Sequence, residues 1–498
     1  MNKIRGATAA YLAALIAIVT VFVVLILDES LSSITYFFER NYNEGWNVYN
    51  AARMINHELI YDGNHWRVNN YPIGSFLLVA AVNLIVNDLL LSGRIIALLS
   101  FVAVGFLAAV ATRRFGGDLV DAEFGGGCAF AFCYLIAPAW VAVDDPQTLG
   151  EAVMLGGLVS YFAGSPERRA LFRTALFIVL ALFVKHNLVA IPIVITLDLA
   201  IRSPRLLPIW LAYCTGLVAG FLGVTELLAG GAFIDHLLSP RVFSWHGSRY
   251  HLMKYLRLFK FPLLGIVLSA RPLFSGRRFF LAAWGITSIA LATLLSGFEG
   301  TSYNMFQDAA VFLGVTSGVL LSELRKLRID NANIRDPLAK LTAVVLPILV
   351  TQPVWARLPE TLVKLVHPSR IFELNHQAER TFLADARYIS ARGGSAFCES
   401  LLLCYAAGQP FILDPFNSRQ YILAGRLDEG ELIQRIAAHE FATIQVRADI
   451  CDDPATAQCH ILHYPQKVNR FTDNTLYAID LYYRIDRRSR YGAFYVPR

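Results

Sequence analysis

The 498-residue chain has little charge. Asp, Glu, Lys and Arg make up 16% of it, hydrophobic residues make up 55%, and the mean hydropathy is +0.47. Soluble globular proteins carry more charge and fewer apolar residues. The composition therefore excludes an ordinary soluble protein and predicts that much of the chain lies in lipid. The net charge of +6 does not indicate a nucleic-acid partner, because the basic residues fall in short loops between apolar segments.

Other sequence features are missing as well. The chain shows no internal repeat, and its first apolar segment has no small-residue cleavage site before Asp28. We therefore expect this segment to be an uncleaved signal anchor. No spacing of His and Cys matches a metal signature, so the three histidines of loop 230–256 are interpreted as solvated or phosphate-facing rather than as zinc ligands.

Basic residues recur in every second connection between apolar segments, which the positive-inside rule places in the cytoplasm. They are Lys3 and Arg5, Arg113 and Arg114, Arg168 and Arg169, Arg202 and Arg205, Arg271 with Arg277 and Arg278, and Arg325, Lys326 and Arg328. About eleven crossings follow. They lie near 7–28, 92–112, 122–142, 148–163, 168–184, 186–201, 206–229, 257–271, 279–296, 305–323 and 339–356. The C-terminus is then outside.

Two segments of the first outer loop are expected to lie along the membrane. Residues 72–90 are apolar enough to span, but a crossing there would move every later basic loop to the wrong face. We therefore expect this segment to lie along the outer leaflet or dip into it. Residues 46–60 carry apolar side chains at helical spacing and predict a second in-plane helix.

The composition changes near residue 358. We predict a transmembrane domain over 1–357 and a small extracytoplasmic α/β domain over 358–498, with strands at 386–390 and 410–413 and helices at 398–407 and 428–438. Four of the seven cysteines lie in the second domain, at 398, 404, 451 and 459, and we expect a disulfide between Cys451 and Cys459. The other three, Cys128, Cys133 and Cys214, fall in spans and are expected to be inert.

The predicted outer loops carry the polar motifs of the chain. They contain Asn43-Glu44-Gly45-Trp46, Asn69-Asn70-Tyr71-Pro72, Asp144-Asp145-Pro146-Gln147, Lys185-His186-Asn187, residues 241–254 and residues 299–304. Acids at the ends of different helices, near a Lys-His pair and a basic loop, suit an anionic substrate anchored in the membrane.

Two acidic positions are candidates for a general base. Glu44 follows the first span, where it can accept the proton of an acceptor hydroxyl or only stabilise a helix N-terminus. Asp144 and Asp145 precede Pro146, which suits a helix cap. Capping is one interpretation of this pair, and binding of an acceptor or a divalent cation is the other.

Lys185 lies between two short apolar runs and is a candidate for phosphate binding. Lys185 is unusual at such a depth unless it snorkels to the interface or meets an anion. A lysine ammonium neutralises a phosphate leaving group as a point charge, and Arg241, Arg249 or Lys254 can add to it.

The order of these motifs resembles the GT-C superfamily of membrane glycosyltransferases, especially the bacterial branch that uses polyprenyl-phosphate sugars and the dolichyl-phosphate-mannose protein mannosyltransferase group. In those enzymes an Asp-Glu pair follows the first span, a Tyr-Pro element comes next, an Asp lies in the next outer loop and a Lys opens a later span. Here the similar elements are Asn43-Glu44, Tyr71-Pro72, Asp145 and Lys185. The position of the catalytic Asp is Asn43, and an amide cannot act as a base, so Glu44 is the expected substitute, with Asp145 and Glu58 behind it.

The resemblance implies an inverting glycosyltransferase of the inner membrane. Its donor would be a polyprenyl-phosphate sugar and its acceptor a hydroxyl of an envelope glycan, lipid or protein. The residues expected to bind donor or substrate are Lys185, His186, Tyr71, Asp144, Arg241, Arg249, Tyr303 and Asn304. The main alternative is a polytopic secondary transporter or lipid flippase, which would place its charges near the bilayer midplane and show internal repeats.

Overall fold

The computed structural model describes residues 2–164, 167–268, 279–330, 337–366, 368–447 and 470–498. The α-helices of this part are α1 Asn2–Leu31, α2 Tyr42–Ile55, α3 Gly74–Val86, α4 Leu89–Arg114, α5 Leu119–Ile136, α6 Pro146–Tyr161, α7 Arg168–Leu182, α8 Ala190–Arg202, α9 Leu207–Ala229, α10 Phe233–Leu237, α11 Trp245–Leu258, α12 Lys260–Leu268, α13 Phe279–Leu295, α14 Gln307–Asp330, α15 Pro337–Val366, α16 Pro368–Ala391, α17 Leu401–Ala406, α18 Pro415–Leu423, α19 Glu429–Ala437 and α20 Asp473–Tyr482. The strands are β1 Ser395–Cys398, β2 Phe441–Val446, β3 Tyr483–Ser489 and β4 Gly492–Pro497.

The helices confirm a multi-pass membrane protein. A helix occupies each predicted crossing, although the end of the one at 257–271 lies outside the described residues. In the part of the chain that the structure describes, five segments are long and apolar enough to span a membrane by themselves, namely Ala13–Leu31, Leu89–Arg114, Leu119–Ile136, Pro204–Ala229 and Tyr303–Arg325. The number of eleven crossings stays a prediction.

The stretch 72–90 does not form one spanning helix. It contains α3 and a turn in which Asn87 adopts a left-handed conformation, and Asp88 then caps α4 by accepting the N–H of Leu91. The 13 residues of α3 measure about 20 Å, less than the hydrocarbon thickness of about 30 Å. Its Leu84 and Ile85 are 80% and 84% exposed, which suits contact with lipid. The in-plane orientation of α2 and α3 stays a prediction.

Small residues bring α5 against α4 and α14. A Cβ atom on Gly314 would lie 2.3 Å from the backbone N of Ala129, and one on Gly126 would lie 2.6 Å from the carbonyl O of Gly105. Close approach of helix backbones at small residues is a common source of helix association in membranes. These contacts hold α4, whose first turns line the outer loop that contains the acidic motifs.

The C-terminal region is a mixed α/β unit, as expected. Its described strands form one sheet in the order β1-β2-β4-β3, in which β1 and β2 are parallel and the other pairs antiparallel. Helices α17 and α19 match the predictions at 398–407 and 428–438. Helix α15 runs across the expected domain boundary at 357/358, and the sheet begins only at Ser395. The boundary itself stays a prediction.

Both predicted strands are wrong. Residues 386–390 lie in α16, because Phe382, Ala386 and Ile389 are buried at helical spacing. Residues 410–413 have no regular secondary structure and join no described strand, although Phe411 and Leu413 are both buried. An alternating pattern shows which side chains are buried, whereas a strand also needs a neighbouring backbone to pair with.

The cysteines follow two patterns. A disulfide joins Cys398 at the end of β1 to Cys404 in α17. The expected partners Cys451 and Cys459 lie outside the described residues. Cys128 and Cys133 are free and buried in the membrane domain, and Cys214 is free and half-buried.

A buried ion pair joins α4 to the start of α2. Arg94 donates from Nε to Oε1 of Glu44 at 2.6 Å and from Nη2 to Oε2 at 2.9 Å, and neither side chain is exposed. Glu44 also accepts the backbone N–H of Arg40 and closes a capping box with Asn41. The other guanidinium N–H groups donate to the carbonyls of Ile34, Tyr36 and Phe38. The pair thus fixes residues 34–44 against α4.

We expect Arg94→Met to destabilise the protein by about 3–5 kcal/mol, because it leaves the Glu44 carboxylate buried without its cation. Thermal unfolding of the purified protein in detergent measures the change. Arg257→Met, on an exposed arginine, is the control and should unfold like wild type. A double variant with Glu44→Gln should recover part of the loss, and equal stability of Arg94→Met and wild type would contradict the role of the pair.

Candidate active site

Asp145 lies at the N-terminus of α6, facing Asn43 of α2. Its Oδ1 accepts the backbone N–H of Gln147 at 2.9 Å, which caps the helix. Its Oδ2 accepts the Nδ2–H of Asn43 at 2.9 Å. The Asp145 carboxylate therefore forms the predicted helix cap. It also contacts Asn43, the position that differs from the family pattern.

Tyr71 joins this acid to a cation. The amide of Asn43 also lies 3.5 Å from the Tyr71 hydroxyl, and Nζ of Lys185 lies 3.5 Å from the centre of the Tyr71 ring. Lys185 is only 4% exposed, so it does not snorkel to water as one interpretation suggested. Burial raises the pKa of Tyr71, while Lys185 opposes the rise. The structure thus brings Asp145, Tyr71 and Lys185 into one connected cluster.

Two more predicted residues border this cluster. Burial, with Lys185 and then Arg241 nearby, lowers the pKa of His186 to about 4, so its ring is neutral near pH 7. Arg241 packs on the ring of Phe416 and donates to Oδ1 of Asn417 at 2.8 Å. Burial lowers the pKa of Arg241, and the neighbouring acidic groups counter this effect. Arg241 therefore connects the loop between α10 and α11 to α18.

The C-terminal domain covers this region through further polar contacts. Tyr42 donates to Oδ1 of Asp414 at 2.8 Å, and the guanidinium of Arg470 lies 4.1 Å from the centre of the Tyr42 ring. Burial raises the pKa of Asp414, although its hydrogen bonds with Tyr42 and Asn417 oppose the rise. Glu299 of the outer loop before α14 pairs with Arg419 of α18 at 2.8 Å. Residues of both domains thus enclose the cluster.

Asp144 occupies a different environment from Asp145. Its carboxylate packs where a Cβ atom on Gly93 would clash at 2.1 Å, and its Oδ2 has no hydrogen-bond partner in the described structure. Burial, and then the charges of Glu44 and Asp145, raise the pKa of Asp144 well above its usual value. These contacts favour the neutral acid, which is a poor ligand for a metal cation.

The expected base Glu44 has structural contacts on both of its oxygens, namely Arg94 and the backbone N–H groups that it caps. Glu58 lies beyond the opposite end of α2, about 20 Å from Glu44 along the helix, and its carboxylate is half-exposed 3.5 Å from Arg53. Neither geometry suits proton transfer beside Lys185.

The residues around Asp144 and Asp145 do not fit a divalent cation. The cavity that both acids line with Asn47 and Gly93 has a volume of only about 10 Å³, room for one water. Amide and backbone N–H donors already occupy Asp145, and donors of this kind repel a cation. Among the described residues, no group of three His, Cys, Asp or Glu side chains could hold a metal ion.

Three predicted residues lie apart from this cluster. Tyr303 packs against His251, with Nζ of Lys254 only 3.3 Å from the centre of its ring. Arg249 is exposed on α11, and Asn304 is buried just after Tyr303. No described hydrogen bond or ion pair joins these three side chains to Asp145 or Lys185.

Sequence reasoning missed Arg94, Tyr42 and Asp414. Arg94 carried a readable signal, because a charged residue inside an apolar span requires a partner. Asn41 and Glu44 also show the spacing of a capping box. The contact between Tyr42 and Asp414 had no local signal, since 372 positions separate them in the chain.

An apolar groove runs along α4, α6 and α7. Its cavity volume is about 660 Å³, and Ala103, Leu149, Gly156 and Phe177 line it. Leu149 also lines the small cavity of Asp144 and Asp145. The groove therefore begins beside the acidic turn and continues toward the C-terminal end of α6.

Comparison with solved structures gives the fold of the chain. No protein-family model and no curated protein matches it. ArnT from Cupriavidus metallidurans bound to undecaprenyl phosphate superposes with a TM-score of 0.56 at 11% identity, over 97% of this chain and 98% of ArnT. Its apo state gives 0.58 at 11% identity, over 98% of both chains.

A second similar protein is the archaeal oligosaccharyltransferase AglB from Archaeoglobus fulgidus, solved in complex with an inhibitory peptide and a dolichol-phosphate. The TM-score is 0.53 at 11% identity, over 88% of this chain and 69% of AglB. Both proteins are similar to this chain along most of its length, through the membrane helices and into the C-terminal region. The chain thus has the same fold as ArnT and AglB over most of its length, as the resemblance of its motifs implies.

Proposed function

We propose that the chain is an inverting glycosyltransferase that moves a sugar from a polyprenyl-phosphate donor to a hydroxyl of an envelope glycan, lipid or protein, at the outer face of the inner membrane. The contact series Asp145, Asn43, Tyr71 and Lys185 carries this proposal. It holds a carboxylate and a buried ammonium close together in a region that both domains enclose. The similar structures of ArnT with undecaprenyl phosphate and AglB with dolichol-phosphate support a lipid-linked donor.

In the proposed reaction the acceptor oxygen attacks the anomeric carbon as the bond from that carbon to the phosphate oxygen breaks. The electron pair of the broken bond goes to the phosphate oxygen, and the acceptor proton goes to Asp145. Lys185 and Arg241 stabilise the negative charge that develops on the phosphate. We assign the proton transfer to Asp145 rather than Glu44. Glu44 forms a buried ion pair with Arg94, whereas both hydrogen-bond donors to Asp145 are uncharged and Asn43 links it to Tyr71.

The donor tail would lie in the apolar groove of α4, α6 and α7. This groove shares Leu149 with the acidic turn, so a lipid in it ends beside Asp145. A divalent cation has no part in the proposal, because Lys185 and Arg241 supply the positive charge.

Asp145→Asn should lower the transfer rate by about 10²–10⁴-fold with the fold intact, because an amide still caps α6 but accepts no proton. The assay follows a labelled sugar from a polyprenyl-phosphate donor to membrane glycans and lipids. Asp428→Asn makes the same change at the cap of α19 and should leave transfer unchanged. Normal turnover by Asp145→Asn would remove Asp145 from the mechanism.

Lys185→Met should lower kcat/KM for the donor on the order of 10²-fold, because the leaving phosphate loses a buried cation. Initial rates over a range of donor concentrations measure the effect. Lys260→Met is the matched control, since Lys260 also lies over an aromatic ring, that of Phe261, but is exposed. An unchanged kcat/KM for the donor in Lys185→Met would exclude Lys185 from phosphate binding.

His186 should make the protein sensitive to acid. Its pKa is lowered from 6.5 to about 4, so between these values the unfolded chain binds a proton that the folded chain excludes. The stability from this site is complete above pH 6.5 and falls by about 3 kcal/mol as the pH drops to 4. Thermal unfolding at pH 7.5 and 4.5 should show a smaller acid loss in His186→Gln than in wild type, and equal losses would contradict it.

A further inference from the structure

A second cavity lies at the C-terminal end of α2, whereas Asn43 of the candidate active site lies at the N-terminal end of this helix. Its volume is about 500 Å³, within the range of small-molecule sites. Four parts of the chain meet there: the loop before α2 with Phe37, the end of α2 with Asn56, the α3–α4 turn with Asn87, and α17 with Tyr405. The C-terminal domain thus completes this cavity too.

Several polar groups of the cavity have no partner within the chain. The side chains of Asn56, Asn87 and Tyr405 form no hydrogen bond in the described structure, and Oδ1 of Asn83 is buried without one. A buried polar atom without a partner costs about 1–3 kcal/mol. Three primary amides and a phenol around one cavity therefore provide donors and acceptors for a ligand.

The charge of the cavity indicates which class of ligand it can bind. Asp88 is the charged residue of the described lining, which contains no Lys, Arg or His. One oxygen of Asp88 caps α4 and the other is available. Burial and then the Asp88 charge raise the pKa of Tyr405, which keeps its hydroxyl a donor. A phosphate or carboxylate ligand would meet repulsion here, whereas a ligand with many neutral hydroxyl groups finds partners.

The cavity is also shaped for a ligand that has both polar and apolar faces. Phe37 and Tyr405 provide ring surfaces beside the amides, and sugar rings present C–H faces as well as hydroxyl groups. Asn56 lies 13 residues beyond Asn43 along α2, about 20 Å away, so its ligand would not overlap a donor at Asp145. The exposed Leu84 and Ile85 of α3 lie just before the turn, which places the cavity beside the lipid surface.

We propose that this cavity, lined by Asn56, Asn83, Asn87, Asp88, Phe37 and Tyr405, is a binding site for a neutral carbohydrate. The site is distinct from the candidate active site and does not depend on the proposed transfer reaction. It would hold a glycan of the cell surface at the rim of the membrane domain.

The test is direct binding of the full-length protein in lipid nanodiscs to an array of neutral mono- to tetrasaccharides, with uronic acid oligosaccharides beside them. Wild type should bind at least one neutral oligosaccharide and bind the acidic ones more weakly. Binding to none, or preference for the acidic ones, would overturn the proposal. The best neutral probe is then titrated in solution.

Two exposed amides allow a variant that spares the fold. Asn56→Ala with Asn87→Gly removes both amides, and glycine adopts the left-handed backbone of Asn87 without strain. This double variant should bind the neutral probe at least tenfold more weakly. His57→Gly is the matched control, because His57 is exposed, has φ of 57° and does not line the cavity.

Asp145→Asn separates this site from the candidate active site. It should bind the neutral probe like wild type, whether or not it transfers sugar. Loss of probe binding in Asp145→Asn, or full binding in the Asn56 and Asn87 double variant, would overturn the assignment of the probe to this cavity.

Discussion

The arrangement of the candidate active site depends on the buried ion pair of Glu44 and Arg94. Removing an arginine from water costs several kcal/mol, and here two carboxylate oxygens and three backbone carbonyls offset that cost. Because those carbonyls belong to the loop before α2, the arginine fixes the position at which α2 begins. Asn43, next to Glu44 in the chain, therefore faces Asp145 without needing contacts of its own with α4.

The residue before Arg94 places the second acid. Gly93 leaves room for the Asp144 carboxylate, where any side chain would clash. Asp144 and Asp145 therefore lie at one turn but in different environments, one packed against α4 without a partner for Oδ2 and one hydrogen-bonded to two N–H donors. Neighbouring acids with separated environments can take different roles, and only Asp145 faces the cluster that contains Lys185.

Much of this arrangement could be predicted from the sequence, for a clear physical reason. Membrane topology separates basic loops from acidic ones, so a one-dimensional pattern of charge predicted which motifs meet at one face. Asp145 and Lys185 were found because they lie at helix ends, where the predicted spans stop, and Tyr71 was found through the Tyr71-Pro72 motif of the resemblance. Sequence does not fix lateral distances within that face. Tyr303 packs against His251 away from the cluster, and Arg249 is exposed on α11.

The role of Glu44 could not be decided from the sequence pattern alone. The sequence places Glu44 at the start of a helix beside the membrane. Both a general base and a helix cap are compatible with that position. The choice depends on Arg94, fifty residues away in a segment that composition assigns to lipid. In the same way, residues 386–390 were predicted as a strand although their burial follows a helical period, because the helix partners of Ile389 lie earlier in the chain.

The amide at position 43 has a consequence for how the cluster works. A second carboxylate there would lie about 3 Å from Asp145, and two acids at that distance share a proton or need a cation between them. Asn43 instead donates a hydrogen bond, so Asp145 meets a neutral donor rather than a second negative charge. With His186 neutral as well, the charges around Tyr71 reduce to one acid opposite Lys185 and Arg241. In the proposed reaction, the acid takes the acceptor proton and the two cations stabilise the leaving phosphate.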